Sequence, residues 1–451
     1  MKKLLCTVLS TVLAISSAAA LNMSAYADST NTQQVSYNYW YNSSTGYTDE
    51  NVHTRQMEKL DRGLIAIKTD GGVYLSWRLF DSEDNIFGSA DKNVSFNVYR
   101  DGKKISEVAT KTNYVDSTIG TNYSVAPVIN GVEGEKCNPV TAYNNSYFDI
   151  PLSKPDDETI YDPSGNELAT YSFFPADCST GDVDGDGEYE IIVKWTSSEH
   201  DVGSPGDPAY SGTVHLAAYK LDGTKLWKND IELGKNVYSS AHTLQFLVYD
   251  FDGDGKSEVM CQTSLGSKDG QGKYVSNAAQ TDEEIKAITD EENSTADYRG
   301  YGRITEGKEF LTVFNGETGV AMDTINLPTT RGSENGADYG DDFGNRSNRF
   351  VSDIAYLDGE KPYAIYLRGY YFGRNGKQRT SIAGISWDGT SLSPTYRFDT
   401  QKGQEGYYDG AYQYVGNGNH NCTVADVDND GKDEFITGAL CMEVNDDNEF
   451  R

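Results

Sequence analysis

Short segments of alternating apolar and polar residues dominate the first part of the chain. They are Gly63–Lys68, Val73–Arg78, Val94–Arg100 and Tyr123–Val128. Alternation with a period of two predicts strands that bury one face. The pairs Asp101-Gly102 and Asn130-Gly131 separate several of these segments, and such pairs favour tight hairpin turns. The pattern predicts a small antiparallel β-sandwich-like domain over residues 53–130.

An irregular two-part repeat occupies the rest of the chain, residues 131–451. Its first part is an acidic loop followed by a β-rich run, and its second part is a hairpin with a Gly-containing turn. The acidic loops are Asp182–Glu190, Asp250–Glu258 and Asp426–Glu434, and the hairpins are Ala218–Trp227, Leu311–Gly319 and Ile385–Thr390. A degenerate loop at Ser352–Glu360 fills the gap in the series. Four-stranded units at this spacing predict the blades of a β-propeller, here incomplete because one strand follows the last loop before the chain ends.

The acidic loops carry the clearest chemistry. Each places carboxylates on alternate residues, and a glycine permits the sharp turn between them. Crowded carboxylates converge when a hard divalent cation offsets their repulsion, and calcium accepts this ligation best. The loops are not EF-hands, because no amphipathic helices flank them. The predicted calcium ligands are Asp182, Asp184, Asp186 and Glu190; Asp250, Asp252, Asp254 and Glu258; and Asp426, Asp428, Asp430 and Glu434.

The charge and the chain start narrow the class of protein. A formal net charge of −31 argues against nucleic acid or an anionic membrane as a partner. Lys2-Lys3, the apolar run 4–20 and Ala25-Tyr-Ala27 predict a secretory signal peptide over residues 1–27, and hence an extracellular protein. Residues 28–52 are polar and predict a flexible mature N-terminus. The odd set of five remaining cysteines implies no disulfide framework, so we expect calcium to stabilise the fold instead. We also expect a monomer.

Several ordered motifs carry a family resemblance. They are Val73–Arg78, Gly181–Glu190, Ala296–Arg299, Gly344–Arg346, Arg368–Tyr371 and Gly418–Asn421. From about Arg55 to its end, the chain resembles the secreted bacterial rhamnogalacturonan lyases of polysaccharide lyase family eleven. The resemblance implies an eight-bladed, calcium-stabilised propeller behind an N-terminal β-domain. It also implies a pectic polysaccharide substrate, whose rhamnose–galacturonate backbone is cleaved by β-elimination.

Elimination requires a base for the C5 proton of galacturonate and a cation that neutralises the neighbouring carboxylate. His420 matches a histidine of the family's substrate cleft and is predicted to be catalytic; the alternative is a turn histidine bonded to backbone. Arg368 is also predicted to be catalytic, by holding the uronate carboxylate; the alternative is a pair with a local acid. The predicted substrate-binding residues are His242, Tyr370, Tyr371 and Arg379.

Departures from the family pattern keep other functions open. Ala176 and Thr196 stand where family members carry an asparagine and an aspartate that contact sugar, and the family's catalytic arginine and lysine match no position up to residue 451. One alternative is therefore a non-catalytic, calcium-dependent carbohydrate-binding propeller. Another is a glycoside hydrolase, which would use two carboxylates across the scissile bond, but acids are too numerous here to single out a pair.

Overall fold

Strands dominate the part of the chain that the structure, a computed structural model, describes. That part comprises residues 55–80, 83, 93–109, 111–161, 164–197, 212–234, 244–275, 308–332, 334–341, 344–371, 373, 375–428, 430–445, 447 and 449–451. Two short 3-10 helices, Glu334–Tyr339 and Ala411–Tyr414, interrupt the strands. Within these ranges, no helix has the length and apolar character that a membrane span requires. The predicted all-β class is confirmed.

The first eight strands form two antiparallel sheets. They are β1 (Ile65–Thr69), β2 (Gly72–Ser76), β3 (Val94–Arg100), β4 (Lys103–Val108), β5 (Asn113–Asp116), β6 (Asn122–Ile129), β7 (Val132–Glu133) and β8 (Val140–Thr141). One sheet has the order β1-β2-β5, and the other has the order β4-β3-β6-β7 with β8 also paired to β6. Both predicted turns are confirmed: Asp101 and Asn130 have φ of 48° and 51°, and the glycine after each also has positive φ, as type I′ hairpin turns require.

Side-chain alternation explains why these two sheets pack together. Val73 and Leu75 of β2 are buried, whereas Tyr74 between them points to the opposite face and is exposed. Trp77 and Phe96 meet edge to face between the sheets, with ring centroids 5.5 Å apart. Such aromatic pairs contribute about 0.5–1.5 kcal/mol beyond the area they bury. The domain boundaries given in the sequence analysis stay predictions.

A hairpin and four successive antiparallel sheets follow, which we call repeat sheets one to four. The hairpin joins β9 (Glu158–Tyr161) and β10 (Glu167–Tyr171). The repeat sheets are β11 (Phe173–Gly181), β12 (Glu190–Ser197), β13 (Val214–Tyr219) and β14 (Ile231–Leu233); β15 (Phe246–Tyr249), β16 (Glu258–Ser264), β17 (Glu309–Asn315) and β18 (Ala321–Asn326); β19 (Phe350–Ala355), β20 (Tyr363–Arg368), β21 (Ser381–Trp387) and β22 (Leu392–Asp399); and β23 (Thr423–Ala425), β24 (Glu434–Thr437) and β25 (Leu440–Met442). Within each sheet, strands consecutive in the chain are neighbours.

The predicted acidic loops recur at one topological position. Each connects the first and second strands of its repeat sheet. The predicted degenerate loop does so only in part, because its first four residues belong to β19 and only residues 356–360 lie between β19 and β20. The three predicted hairpins connect the third and fourth strands of repeat sheets one, two and three. The two-part repeat read from the sequence is therefore a repeat of one sheet topology.

Apolar side chains hold consecutive repeat sheets face to face. One core cluster joins Ile192 of β12 to Val259 of β16. A second joins Met260 of β16 to Tyr366 of β20, and a third joins Ile365 of β20 to Phe435 of β24. All seven residues of β16 are buried, because the strand is covered on both faces. The first strands β11, β15, β19 and β23 also contact one another in succession.

Residues 55–61, which we call the N-terminal strap, run across the loops that follow the first strands of all four repeat sheets. Main-chain groups and side chains of the strap both form hydrogen bonds to these loops. The bonds join Arg55 to Asp433, Gln56 to Glu360 and Phe251, Glu58 to Ser257 and Tyr189, and Asp61 to Gly187. The strap therefore fixes the N-terminal sheets to the loop end of the repeat sheets.

Candidate active site

The first acidic loop brings three of its four predicted ligands together. Oxygen atoms of Asp182, Asp184 and Glu190 lie within 4.8 Å of one another. The Asp182 carboxylate also accepts bonds from the backbone N–H groups of Gly185 at 2.7 Å and Gly187 at 2.8 Å. Both glycines have positive φ, 80° and 90°, which explains why glycine occupies these positions.

The second loop repeats this geometry. Oxygen atoms of Asp250, Asp252 and Asp254 lie within 4.8 Å of one another. Asp250 accepts bonds from Gly253 N at 2.7 Å and Gly255 N at 2.9 Å, the equivalents of the bonds in the first loop. The two loops differ in which predicted ligand lies outside the set of converging carboxylates. It is Asp186 in the first loop and Glu258 in the second.

The closing glutamates are buried and held by backbone. Val183 N donates to Glu190 Oε2 at 3.1 Å, and Phe251 N donates to Glu258 Oε2 at 3.0 Å. Burial raises the pKa of Glu190 to about 7, and burial together with the Asp252 carboxylate raises the pKa of Glu258 to about 9. Both carboxyls therefore resist ionisation until a cation compensates the charge.

The third loop shares part of this pattern. Val427 N donates to Glu434 Oε2 at 2.7 Å, and Gly431 N donates to Asp426 Oδ2 at 3.1 Å. Asp430 N donates to Asp428 Oδ1 at 3.1 Å. The bonds to Glu434 and Asp426 match those of the first two loops.

The donor sets of the first two loops fit a divalent cation. Hard carboxylate oxygens converge on backbone turns, as such an ion requires. In the first loop, the Lys220 ammonium lies 2.5 Å from Asp184 and 3.2 Å from Asp186. A lysine charge therefore supplies part of the neutralisation there, and a metal ion would compete with it for the same oxygens.

Metal-depleted protein is expected to lose stability as pH rises from about 5 to about 9. The folded-state pKa values of Glu190 and Glu258, about 7 and about 9, lie above the ordinary value of 4.5. The folded state then retains protons that the unfolded state releases, so rising pH favours unfolding. Thermal melts in a chelator across this range should show a falling midpoint, and Glu258→Gln should flatten the slope. A midpoint that rises with pH would contradict this account.

The structure places two predicted site arginines in buried ion pairs. Arg368 has no exposed surface, and its NH1 and NH2 groups donate to the two oxygens of Glu309 at 2.8 and 3.1 Å. Arg331 binds the same carboxylate at 2.6 Å, and together the two cations lower the pKa of Glu309 despite its burial. Arg379 is likewise buried, with its NH2 group 2.6 Å from Asp399. This geometry favours the structural alternative for Arg368.

Loss of the Arg368 cation is expected to destabilise the fold. In Arg368→Met the Glu309 carboxylate would keep one of its two cations in a buried site, which costs about 3 kcal/mol. Chemical denaturation measures this change, and Lys104→Met, at an exposed ion pair with Glu107, is the control with less than about 1 kcal/mol. An Arg368→Met protein of unchanged stability but weakened polysaccharide binding would restore Arg368 to the substrate site.

A cluster of aromatic and cationic side chains surrounds His420. The Tyr370 hydroxyl hydrogen-bonds His420 Nε2, and the rings of Tyr370 and Tyr371 lie 4.0 Å apart. The Arg346 guanidinium lies 4.6 Å from the Tyr370 ring centroid and 5.3 Å from that of Tyr371. The Arg349 guanidinium lies 5.1 Å from the Tyr370 centroid on a cavity of about 50 Å³ that His420 also lines. We call these five residues the His420 cluster.

Sheet topology assembles this cluster from separate segments. Arg346 and Arg349 precede β19, Tyr370 and Tyr371 follow β20, and His420 precedes β23. Because β19 and β20 are antiparallel, these positions share the sheet end opposite the acidic loops. Locally, the Asp341 carboxylate accepts the Arg346 N–H at 2.8 Å and so fixes the turn that carries this arginine. The cluster and the acidic loops are therefore distinct sites.

The cluster differs electrostatically from the acidic chain around it. Burial and the hydrogen bond to Tyr371 raise the pKa of Tyr370 to about 12. That same hydrogen bond and the positive charge of Arg346 lower the pKa of Tyr371, which is 44% exposed. Two guanidinium groups beside an exposed histidine and an exposed tyrosine can bind a carboxylate and accept a proton close by.

The structure joins three of the predicted site residues and adds two. Tyr370, Tyr371 and His420 meet, whereas His242 lies outside the described residues. Arg346 and Arg349 were missing from the predicted site, although Arg346 ends a quoted motif, Gly344-Asn-Arg346. The sequence around the two tyrosines does not reveal these arginines, because more than twenty residues separate the arginines from the tyrosines along the chain.

The two positions that depart from the family pattern lie in the first repeat sheet. Thr196 is buried in β12, and Ala176 lies at a bulge of β11.

Comparisons with known proteins agree on one family. Residues 147–450 match the C-terminal domain of rhamnogalacturonan lyase family 11, and residues 55–143 match the β-sheet domain of rhamnogalacturonan I lyases. Over 393 residues, 86% of this chain and 56% of the relative, the chain is 43% identical to the rhamnogalacturonan endolyase YesW of Bacillus subtilis (strain 168). It is 40% identical to the rhamnogalacturonan exolyase YesX of the same organism over 396 residues, 86% of this chain and 57% of the relative.

Structural comparison gives the same result. The crystal structure of rhamnogalacturonan lyase YesW aligns with a TM-score of 0.71 at 41% identity, over 88% of this chain and 60% of that chain. The chain thus spans just over half the length of the relatives that it matches.

Proposed function

Because the chain belongs to rhamnogalacturonan lyase family 11, we propose that it acts in cleaving the rhamnose–galacturonate backbone of rhamnogalacturonan I by β-elimination. The observation that carries this proposal is the His420 cluster. Two arginines meet a histidine and two tyrosines there, in a chain whose net charge is −31. A local cationic site in an acidic protein is what binding of a uronate carboxylate requires.

The residues of the cluster divide the chemistry among them. Arg346 and Arg349 bind and neutralise the galacturonate carboxylate, which acidifies the C5 proton. His420 accepts that proton, and the hydroxyl of Tyr370 orients the imidazole. The exposed ring of Tyr371 offers a face on which a sugar ring stacks. The C4–oxygen bond then breaks as the C4–C5 double bond forms, and the departing oxygen takes up a proton.

The scaffold that we propose for this site is a calcium-stabilised β-propeller. Successive four-stranded meanders, cores between consecutive sheets and contacts between their first strands support it. The carboxylate sets of the first two loops support calcium as the cation, because hard oxygen ligands on turns suit it. In this proposal the ions stabilise the loops at one end of the sheets and take no part in the elimination.

The predicted leader over residues 1–27 supports secretion, and we expect the protein to act as a monomer.

Carbohydrate binding without cleavage is the second candidate. It is favoured by the burial of Arg368 and Arg379 in internal pairs, since neither cation then faces a substrate. Exposed Tyr371 would suffice for stacking on a sugar. One assay separates the candidates: incubation with rhamnogalacturonan I and calcium, followed by ultraviolet absorbance of the unsaturated uronate product. Elimination gives this absorbance, hydrolysis gives new reducing ends without it, and binding alone gives neither. Absence of the unsaturated product would refute the lyase proposal.

A further inference from the structure

A second concave site lies at the acidic-loop end of the first repeat sheet, between that sheet and the N-terminal sheets. Its volume is about 540 Å³, within the range of small-ligand sites. One wall is β1 and the segment after β8, and the other is the first acidic loop with the end of β11. None of its lining residues belongs to the His420 cluster. We call it the junction pocket.

Exposed aromatic and aliphatic side chains concentrate at the junction pocket. Tyr143 and Phe148 are 46% and 48% exposed, and their rings stack nearly parallel, with centroids 5.7 Å apart and planes at 14°. Tyr147, 67% exposed, and Ile65, 47% exposed, line the same pocket. Four large apolar side chains left at one concave surface mark a ligand site rather than scattered surface residues.

Polar groups share the lining with these rings. The side chains of Asn138, Asn145 and Ser146 line the pocket and offer amide and hydroxyl groups. A site lined by flat rings together with neutral donors and acceptors suits a sugar ring, whose C–H face packs on an aromatic ring while its hydroxyls hydrogen-bond. A purely apolar ligand would leave the polar groups unused.

The charges of the junction pocket select against a uronate. Among the residues that the structure describes, its charged lining residues are Asp61, Arg78 and Glu188, so acids exceed bases. The one cation is already engaged, because Arg78 NH1 donates to the Asp61 carbonyl at 2.8 Å and its guanidinium lies 4.7 Å from the Tyr189 ring centroid. An anionic sugar would meet net repulsion here, and a neutral sugar would not.

We propose that the junction pocket binds a neutral saccharide by stacking on Tyr143 and Phe148. The site goes beyond the proposed lyase function, since it uses no residue of the His420 cluster and no step of the elimination. It would let the protein hold uncharged branches of a glycan at one end of the repeat sheets. The other end would remain available to the uronate-containing backbone.

Calorimetric titration of the full chain with galactotetraose tests the proposal. Wild type is expected to bind it, and Phe148→Ala and Tyr143→Ala should each weaken binding about tenfold by removing a stacking face. Tyr143→Phe keeps the ring and should bind like wild type. Tyr412→Ala removes an even more exposed ring, outside the junction pocket, and should also leave binding unchanged. Trigalacturonate should show no difference between wild type and Phe148→Ala.

Melting temperatures of the variants establish that each is folded, and both replaced rings are half exposed, so little destabilisation is expected. Wild type that fails to bind galactotetraose, or Phe148→Ala that binds it like wild type, would overturn the proposal. Binding of an apolar dye such as anilinonaphthalene sulfonate without saccharide binding would do the same and assign the pocket to an apolar ligand. Because the titration measures no turnover, its outcome is independent of whether the chain is a lyase.

Discussion

Removal of the proposed calcium ions is expected to lower the melting temperature by about 10 °C or more. Each occupied site at a hundredfold excess over Kd stabilises the fold by about 2.7 kcal/mol, and a domain of this size shifts about 2–4 °C per kcal/mol. The effect should be large because the first two loops lose the charge that offsets their convergent carboxylates. Differential scanning fluorimetry with excess EDTA, followed by calcium in excess of the chelator, measures the loss and its recovery.

A matched pair of loop variants locates the effect. Asp254 and Asp358 occupy corresponding acidic and degenerate loops, and each accepts the backbone N–H two residues ahead at 2.8 Å. Asp254→Asn should reduce the response to EDTA, because Asp254 belongs to a carboxylate group and Asp358 does not. Asp358→Asn should respond like wild type. An identical melting curve with and without EDTA would remove metal from the account of this fold.

Substitutions in the His420 cluster are expected to abolish most of the proposed lyase activity. His420→Ala removes the proposed proton acceptor and should lower kcat at least about a hundredfold. Arg346→Ala removes a carboxylate-binding cation that also stabilises the developing negative charge, so kcat should fall about a hundredfold and KM should rise. Formation of the unsaturated product, followed across a range of pH, provides both constants and the profile of the proton acceptor.

Two control variants change the same residue types as the cluster contains. Arg397 forms an ion pair with Glu405 away from the cluster, and Arg397→Ala should retain wild-type activity. Tyr370→Phe keeps the ring but removes the hydroxyl that contacts His420, so it should change the pH profile more than KM. If His420→Ala keeps wild-type kcat with an unchanged pH profile, another group must take the C5 proton.

The local parts of the fold were predictable from the sequence. Acidic loops, the Asp101-Gly102 turn and the Gly-containing hairpins are set by residues close in the chain, so their patterns are legible without tertiary information. The strands β4 and β5 were missed, because Lys103–Val108 and Asn113–Asp116 expose much of their surface and lack a clear apolar stripe. Propensity is a weak guide where neighbouring strands rather than burial fix the backbone.

The site was predictable only in part, because ion pairs and clusters depend on distant residues. Arg368 was placed at a substrate cleft since it ends a strand before two tyrosines, but its partner Glu309 lies 59 positions away. Nothing near Arg368 in the chain announces that pair. Conversely, Arg346 and Arg349 join Tyr370 only through the antiparallel register of β19 and β20. The motifs identified the family, whereas the contacts that each arginine makes could not be read from the sequence.

The N-terminal strap has a consequence for the order in which the chain folds. Its contacts bridge large sequence separations, 131 positions from Glu58 to Tyr189 and 378 positions from Arg55 to Asp433. Closing such long loops is entropically unfavourable until the partner surfaces exist, whereas each meander can form from neighbouring strands. We therefore expect the meanders to become protected from hydrogen exchange early in folding. Residues 55–61 should dock last, so that their docking sets the rate of the final folding step.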